Sequence, residues 1–144
     1  IGDYDTHGDQ VSRYPVLMRE LNHALSSFYE ATVELGVSEQ VTTFTASDFG
    51  RTLTSNGDGT DHGWGSHQMV MGGSVMGNRI FGTMPELAIG SNDDIGEGRI
   101  IPTTSVDQYA ATLARWYGLS ASQIAETFPS LANFNSTDIG FMQV

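Results

Sequence analysis

Apolar residues recur at every third or fourth position between Ser12 and Leu35, and this pattern constrains the fold more than any other feature. The face that they define consists of Leu17, Leu21, Leu25, Phe28, Thr32 and Leu35. Such spacing predicts an amphipathic helix whose apolar face is buried. Pro15 suits the first turn of a helix, and Gly36 suits its C-terminal end. The sequence therefore predicts a helix over residues 12–36.

Short apolar runs follow this helix and predict strands. Residues 41–45 are mostly β-branched and lie between turn-forming residues, as is typical of a buried strand. Residues 46–66 are rich in Gly, Asn and small polar residues, which predicts a long loop. Residues 69–71 and 79–81 predict two further short strands.

Two serine–glutamine pairs predict helices near the end of the chain. Ser105 and Ser120 each precede a glutamine by three residues, which is the capping-box pattern. We expect a helix over 105–117 that ends at Gly118, with Val106 among its inward residues, and a shorter helix that ends before Pro129. The order of elements predicts a single α/β domain over residues 1–144. We expect its strand 41–45 to be central and parallel, with helix 12–36 packed on one face.

Charge and composition exclude several classes of function. The net charge is −11, and all six basic residues are arginines. An acidic chain without lysine argues against nucleic acid or an anionic membrane as partner. The absence of cysteine excludes disulfides, thiolate metal ligands and a cysteine nucleophile. The sequence has no apolar run long enough to span a membrane.

A cluster of carboxylates and imidazoles follows the predicted strand 41–45. It comprises Asp48, Arg51, Asp61, His62 and His67. Such side chains on a loop are typical ligands of a divalent metal ion. Arg51 suits an oxyanion contact. Structural alternatives remain: Asp61 caps a turn, His62 and His67 are ordinary surface or strand-end residues, and Arg51 forms an ion pair with Asp48 or another acid.

A second pair of candidate ligands lies near the start of the chain, at Asp5 and His7. Asp3, four residues before His7, is an alternative carboxylate partner. The presence of imidazoles favours zinc, manganese or iron over calcium, which prefers oxygen ligands, and zinc or manganese is the expected ion. His23 is expected to be a surface residue in the middle of the first helix.

These candidates leave two functional classes open. One is a metal-dependent hydrolase that acts on small anionic substrates, namely phosphate or sulfate esters. The other is a non-catalytic binding or structural domain that uses the same ligands to hold a stabilising cation, with calcium as one candidate. In both cases Asp5, His7, Asp48, Asp61, His62 and His67 are the predicted metal ligands.

Four segments together resemble a bacterial family of unknown function that is classed with the sulfatases and alkaline phosphatases. They are residues 4–10, 47–52, 59–65 and 98–109, which contain Tyr-Asp-Thr-His, Ser-Asp-Phe-Gly-Arg, Thr-Asp-His-Gly-Trp and Arg-Ile-Ile-Pro-Thr. The resemblance implies the C-terminal portion of an alkaline-phosphatase-like three-layer α/β/α fold with a mostly parallel sheet. It also implies that Asp5 with His7, and Asp61 with His62, are metal-binding pairs.

The same resemblance carries expectations about the whole protein. Asp48 occupies the position of an Asp-His-Gly motif in the wider superfamily, which leaves the exact ligand set open. The nucleophile of that superfamily is expected upstream of Ile1, so the chain is expected to be an inactive C-terminal fragment that pairs with a missing N-terminal part. Members are often exported, which implies a periplasmic or extracellular location. A truncated sheet also predicts an exposed apolar patch and self-association.

Overall fold

The computed structural model describes residues 2–143 as seven helices and strands joined by long irregular segments. In chain order these are α1 (Gln10–Glu34), β1 (Thr42–Phe44), β2 (Gly50–Ser55), β3 (Thr60–Gly63), β4 (Val70–Gly72), α2 (Val106–Tyr117) and α3 (Ala121–Thr127). Short 3₁₀ turns lie at Ser38–Gln40 and Pro129–Asn133. Within this part of the chain, no helix is long and apolar enough to cross a membrane.

The strands form two separate antiparallel pairs. β1 pairs with β4, with Thr42 opposite Gly72, and β2 pairs with β3, with Arg51 opposite His62. The predicted mostly parallel sheet and the alkaline-phosphatase-like three-layer fold are therefore wrong. Strand 41–45 is correctly placed as β1, but it is neither central nor parallel.

Two smaller strand predictions also fail. The predicted loop 46–66 contains β2 and β3, which are joined by a tight turn. Gly, Asn and small polar residues also form the turn between two short strands, so their abundance does not distinguish a long loop from a hairpin. Residues 79–81 lie in no strand, whereas the prediction for residues 69–71 is confirmed to within one residue by β4.

Helix α1 is confirmed to within two residues at each end, but its expected packing is not. Leu17, Leu21 and Leu25 are half-buried, whereas Phe28 is 49% and Leu35 76% exposed. The helix does not lie on a sheet, and its main neighbouring element is the turn that follows it.

The start of α1 also differs from the prediction. The helix begins at Gln10, after Asp9 in a left-handed conformation, so Pro15 lies inside it rather than in the first turn. His23 is exposed, as predicted.

The apolar core lies where α2, α3 and the following 3₁₀ turn meet. Ala111, Ile124 and Leu131 are buried there, and Ala114, Leu119 and Phe128 pack around them. Val106, which was expected to face inward, is 75% exposed, because it occupies the first position of α2 and Ala111 and Thr112 form the buried face.

Local signals set the ends of both C-terminal helices. The serine and glutamine of each predicted capping box exchange hydrogen bonds, so both boxes are confirmed. Gly118 ends α2 in a left-handed conformation. Tyr109 joins α2 to the first strand pair, because its hydroxyl donates to the carbonyl of Thr45 at 3.1 Å.

Candidate metal site

The N-terminal segment, residues 2–9, lies against the β2–β3 hairpin. The Gln10 side chain holds the two together, because its amide donates to the hydroxyls of Thr6 and Thr60, both at 3.0 Å. The backbone N–H of Asp9 also donates to the Asp58 carboxylate at 3.0 Å. Thr6 is fully buried at this junction. The segment is therefore anchored to the hairpin on both sides of His7.

The glycine at the end of the hairpin turn permits this close approach. A Cβ atom on Gly59 would lie 2.5 Å from the carbonyl oxygen of Thr6 and 2.6 Å from that of His7. Only a residue without a side chain fits under the segment at this point.

Asp5, His7 and His62 meet where the segment crosses the hairpin. His7 Nε2 lies 3.0 Å from His62 Nε2, and Asp5 Oδ1 lies 3.1 Å from each of these nitrogens. The donor atoms of the three side chains lie within 4.8 Å of one another. The imidazole of His62 thus meets an imidazole and a carboxylate that lie more than fifty positions away in sequence.

The three atoms fit the requirements of a small divalent ion. Ligands at about 2.0–2.1 Å in tetrahedral geometry are about 3.3 Å from one another. The observed separations between the donor atoms of Asp5, His7 and His62, 3.0 and 3.1 Å, are close to that ligand-to-ligand distance. The side chains are about half exposed, so a ligand from solution can reach them.

Arg51 borders the site from β2. Its guanidinium donates to the carbonyl of Thr60 at 2.7 Å and to the Thr60 hydroxyl at 3.1 Å, which fixes its position on the neighbouring strand. A further N–H contacts Asp5 Oδ1. Arg51 therefore forms an ion pair, as the structural alternative expected, and its partner is Asp5 rather than Asp48.

Two further contacts hold the imidazoles. The ring of Phe49 stacks on His62, with ring centroids 3.8 Å apart and planes inclined by 17°. Asp61 Oδ1 lies 3.0 Å from His7 Nδ1, on the opposite side of the ring from Nε2. Each imidazole is thus oriented by a neighbour that lies outside the group of three.

The electrostatics of the site favour ionised carboxylates. Partial removal from water raises the pKa of Asp5, but hydrogen bonds from Arg51 and His62 and the nearby imidazoles outweigh that effect and lower it overall. Hydrogen bonds from Asn56 and His7 lower the pKa of Asp61. Both groups are therefore in the form that binds cations at neutral pH.

The structure brings together five of the seven predicted site residues and leaves two apart. Asp5, His7, Arg51, Asp61 and His62 form one connected cluster. Asp48 and His67 are exposed, and within residues 2–143 neither side chain makes a hydrogen bond or ion pair with that cluster.

Sequence reasoning missed Asn56 and Phe49. Asn56 is followed by Gly57, and the Asn-Gly dipeptide between alternating residues is a strong signal for a β-hairpin turn. Recognising it would have placed Arg51 and His62 on paired strands. The stacking of Phe49 on His62 has no comparable local signal.

Comparison with known proteins yields one family. The protein-family model described as "Protein of unknown function (DUF1501)" matches residues 1–128. No sulfatase or alkaline phosphatase family matches, so the classification implied by the resemblance is wrong. No curated protein and no solved structure matches the chain.

Proposed function

Because the chain belongs to the DUF1501 family, whose function is not established, we propose a function from the geometry of the site. Asp5, His7 and His62 bind one divalent metal ion, which supports hydrolysis of phosphate or sulfate esters. The observation that carries this proposal is the convergence of three donor atoms within 4.8 Å.

The chemistry of the donors narrows the choice of metal. Two imidazoles with one carboxylate suit zinc or manganese, whereas calcium requires a cage of oxygen ligands. When bound, such an ion polarises an oxygen of the ester and stabilises the negative charge that develops there. We therefore propose zinc or manganese, with calcium the less favoured ion.

Arg51 supplies the contact for an anionic substrate. Its guanidinium is held by Thr60 beside Asp5, so its position does not depend on a bound ligand. A planar guanidinium can pair with two oxygens of a phosphate or sulfate group. The half-exposed side chains around it leave room for a small ester to approach from solution.

A second function follows from where the ligands lie. Asp5 and His7 belong to the N-terminal segment, whereas His62 belongs to β3. An ion between them would join the segment to the hairpin and stabilise the fold without any chemistry. We keep this metal-stabilised, non-catalytic domain as the alternative.

Two further proposals concern the self-association of the protein and its location. Apolar side chains on and just after α1 are exposed, including Val11 at 89% and Leu35 at 76%, which supports self-association. The periplasmic or extracellular location expected from the sequence stays a prediction, with which the absence of cysteine is compatible.

The deciding experiment measures turnover and stability on the same samples. The full-length protein, loaded with zinc or manganese, is assayed with aryl phosphate and aryl sulfate esters. Hydrolysis that His62→Ala abolishes and His23→Ala retains would support the hydrolase. A rise in melting temperature with the metal, but no turnover, would support the stabilising function. No effect of either metal on turnover or melting would contradict both.

A further inference from the structure

Asp61 lies on the far side of His7 from the proposed ion. Its Oδ1 atom is 3.0 Å from His7 Nδ1, whereas Nε2 of the same ring faces Asp5 and His62. An ionised carboxylate only accepts hydrogen bonds, so this contact places a proton on Nδ1. In the neutral ring the lone pair is then on Nε2, where a metal ion would bind.

Asn56 holds Asp61 and His7 together. Its side-chain amide donates to Asp61 Oδ1 at 3.0 Å and to the carbonyl of His7 at 3.1 Å. Its side-chain oxygen accepts from the backbone N–H of Gly59 at 2.8 Å. These opposite requirements fix the orientation of the amide, because an exchange of its nitrogen and oxygen would break all three bonds.

Among residues 2–143, no carboxylate accepts a hydrogen bond from Nδ1 of His62. Its hydrogen bonds run through Nε2, towards His7 and Asp5, and its ring is held by stacking on Phe49. The two imidazoles thus differ: the carboxylate of Asp61 faces the outer nitrogen of His7, whereas that of Asp5 faces Nε2 of His62 inside the site, and stacking on Phe49 holds the plane of the His62 ring.

We propose that Asp61 and Asn56 are positioning residues that set the tautomer and orientation of His7, and that Asp61 does not itself bind the metal. This inference rests on the proposed metal site, and it revises the prediction that Asp61 is a ligand. Hydrogen bonds of this kind, which a metal-binding histidine donates to a carboxylate, are worth about 10–100-fold in metal affinity.

The first test uses the metal-free chain. Nitrogen-15 NMR of the imidazoles distinguishes the Nδ1–H from the Nε2–H tautomer. We expect His7 to be Nδ1–H in the wild type and in Asp61→Asn, whose side-chain oxygen can still accept the bond. We expect a mixture of tautomers in Asp61→Ala. An Nε2–H tautomer in the wild type would overturn the inference.

The second test measures affinity and coordination with cobalt(II), whose visible spectrum reports the number and type of its ligands. We expect Asp61→Ala to weaken cobalt binding about 10–100-fold, with the spectrum unchanged. Asp61→Asn should recover most of the affinity, and Asn56→Ala should weaken binding in the same way as Asp61→Ala. Glu126→Gln, on the exposed side of α3, is the matched control and should bind as the wild type does.

The outcomes separate this inference from the function on which it rests. If Asp61→Asn loses as much affinity as Asp61→Ala and both change the spectrum, Asp61 is a ligand and the inference is wrong. If the wild type binds no cobalt, the proposed function fails, and the NMR of the metal-free chain still decides whether Asp61 sets the tautomer of His7. Circular dichroism of each variant identifies any that fail to fold.

Discussion

The region around α2 and α3 and the region around the candidate metal site are held together by different forces. Buried apolar side chains, Ala111, Ile124 and Leu131, join the two helices. The metal region instead depends on hydrogen bonds between the N-terminal segment and the hairpin, with side chains that are about half exposed. Apolar burial is not directional, whereas hydrogen bonds fix positions. The first region therefore supplies stability, and the second supplies a defined arrangement of polar groups.

The largest effect is expected in the apolar core. Leu131→Ala should lower the free energy of unfolding by about 2–5 kcal/mol, because it removes a buried side chain and leaves a cavity. Urea unfolding measures the change. Val106→Ala, at a 75% exposed position of the same region, is the control and should stay within about 0.5 kcal/mol. A loss for Leu131→Ala no larger than that of the control would mean that the core is not where stability lies.

A smaller loss of stability, but a large loss of metal binding, is expected at the hairpin turn. Gly59→Ala should cost about 1–3 kcal/mol, because its Cβ collides with the backbone of Thr6 and His7. By displacing the segment that carries Asp5 and His7, it should also weaken zinc binding. Gly77→Ala is the control, because a Cβ there meets no atom within 4 Å. Zinc titration of both variants checks this, and equal affinities would show that the segment is not held at Gly59.

A cap of α2 gives the next effect. Ser105→Ala should destabilise the chain by about 1 kcal/mol, since the Ser105 hydroxyl accepts the backbone N–H of Gln108 at 3.1 Å. Thermal unfolding measures it. Zinc affinity should be unchanged, because the two regions are stabilised separately. A parallel loss of zinc affinity would show that they are coupled.

The smallest effect concerns pH, in a loop between β4 and α2 that is also held by hydrogen bonds. Backbone N–H groups, first that of Gly90 and then that of Gly96, donate to Asp94 at 2.8 Å and lower its pKa. The unfolded chain therefore takes up this proton at a higher pH than the folded chain does. The stabilisation from Asp94 is complete above about pH 4 and is lost as the pH falls through the lowered pKa.

Comparison of the wild type with Asp94→Asn checks this dependence. The difference in unfolding free energy should be constant from pH 7 down to about pH 4 and should shrink at lower pH. A difference that does not change with pH would show that Asp94 has the same pKa in both states.

The same contrast explains what could be predicted from the sequence. The ends of α2 and α3 follow from serine caps and Gly118, which act within a few residues of one another. The site residues Asp5, His7, Asp61 and His62 could be recognised by type and clustering. The stacking of Phe49 on His62 could not be predicted, and neither could the pairing of β1 with β4, because both depend on contacts that no local pattern indicates.

Two errors have identifiable physical causes. The parallel sheet was expected from strand order and a family resemblance, and neither determines which strands pair. The periodicity of α1 predicts a buried apolar face, but an apolar face is buried only where another element packs on it. Phe28 is 49% and Leu35 76% exposed. A periodic pattern therefore predicts the helix and not what covers it.

The measurement that tests the central claim most directly is zinc binding to the purified chain by equilibrium dialysis, with four proteins compared. The account predicts a single high-affinity ion per chain in the wild type and in His23→Ala, whose histidine is exposed in the middle of α1. It predicts loss of that ion in His7→Ala and in His62→Ala. Equal binding by all four proteins, or no binding by the wild type, would contradict it.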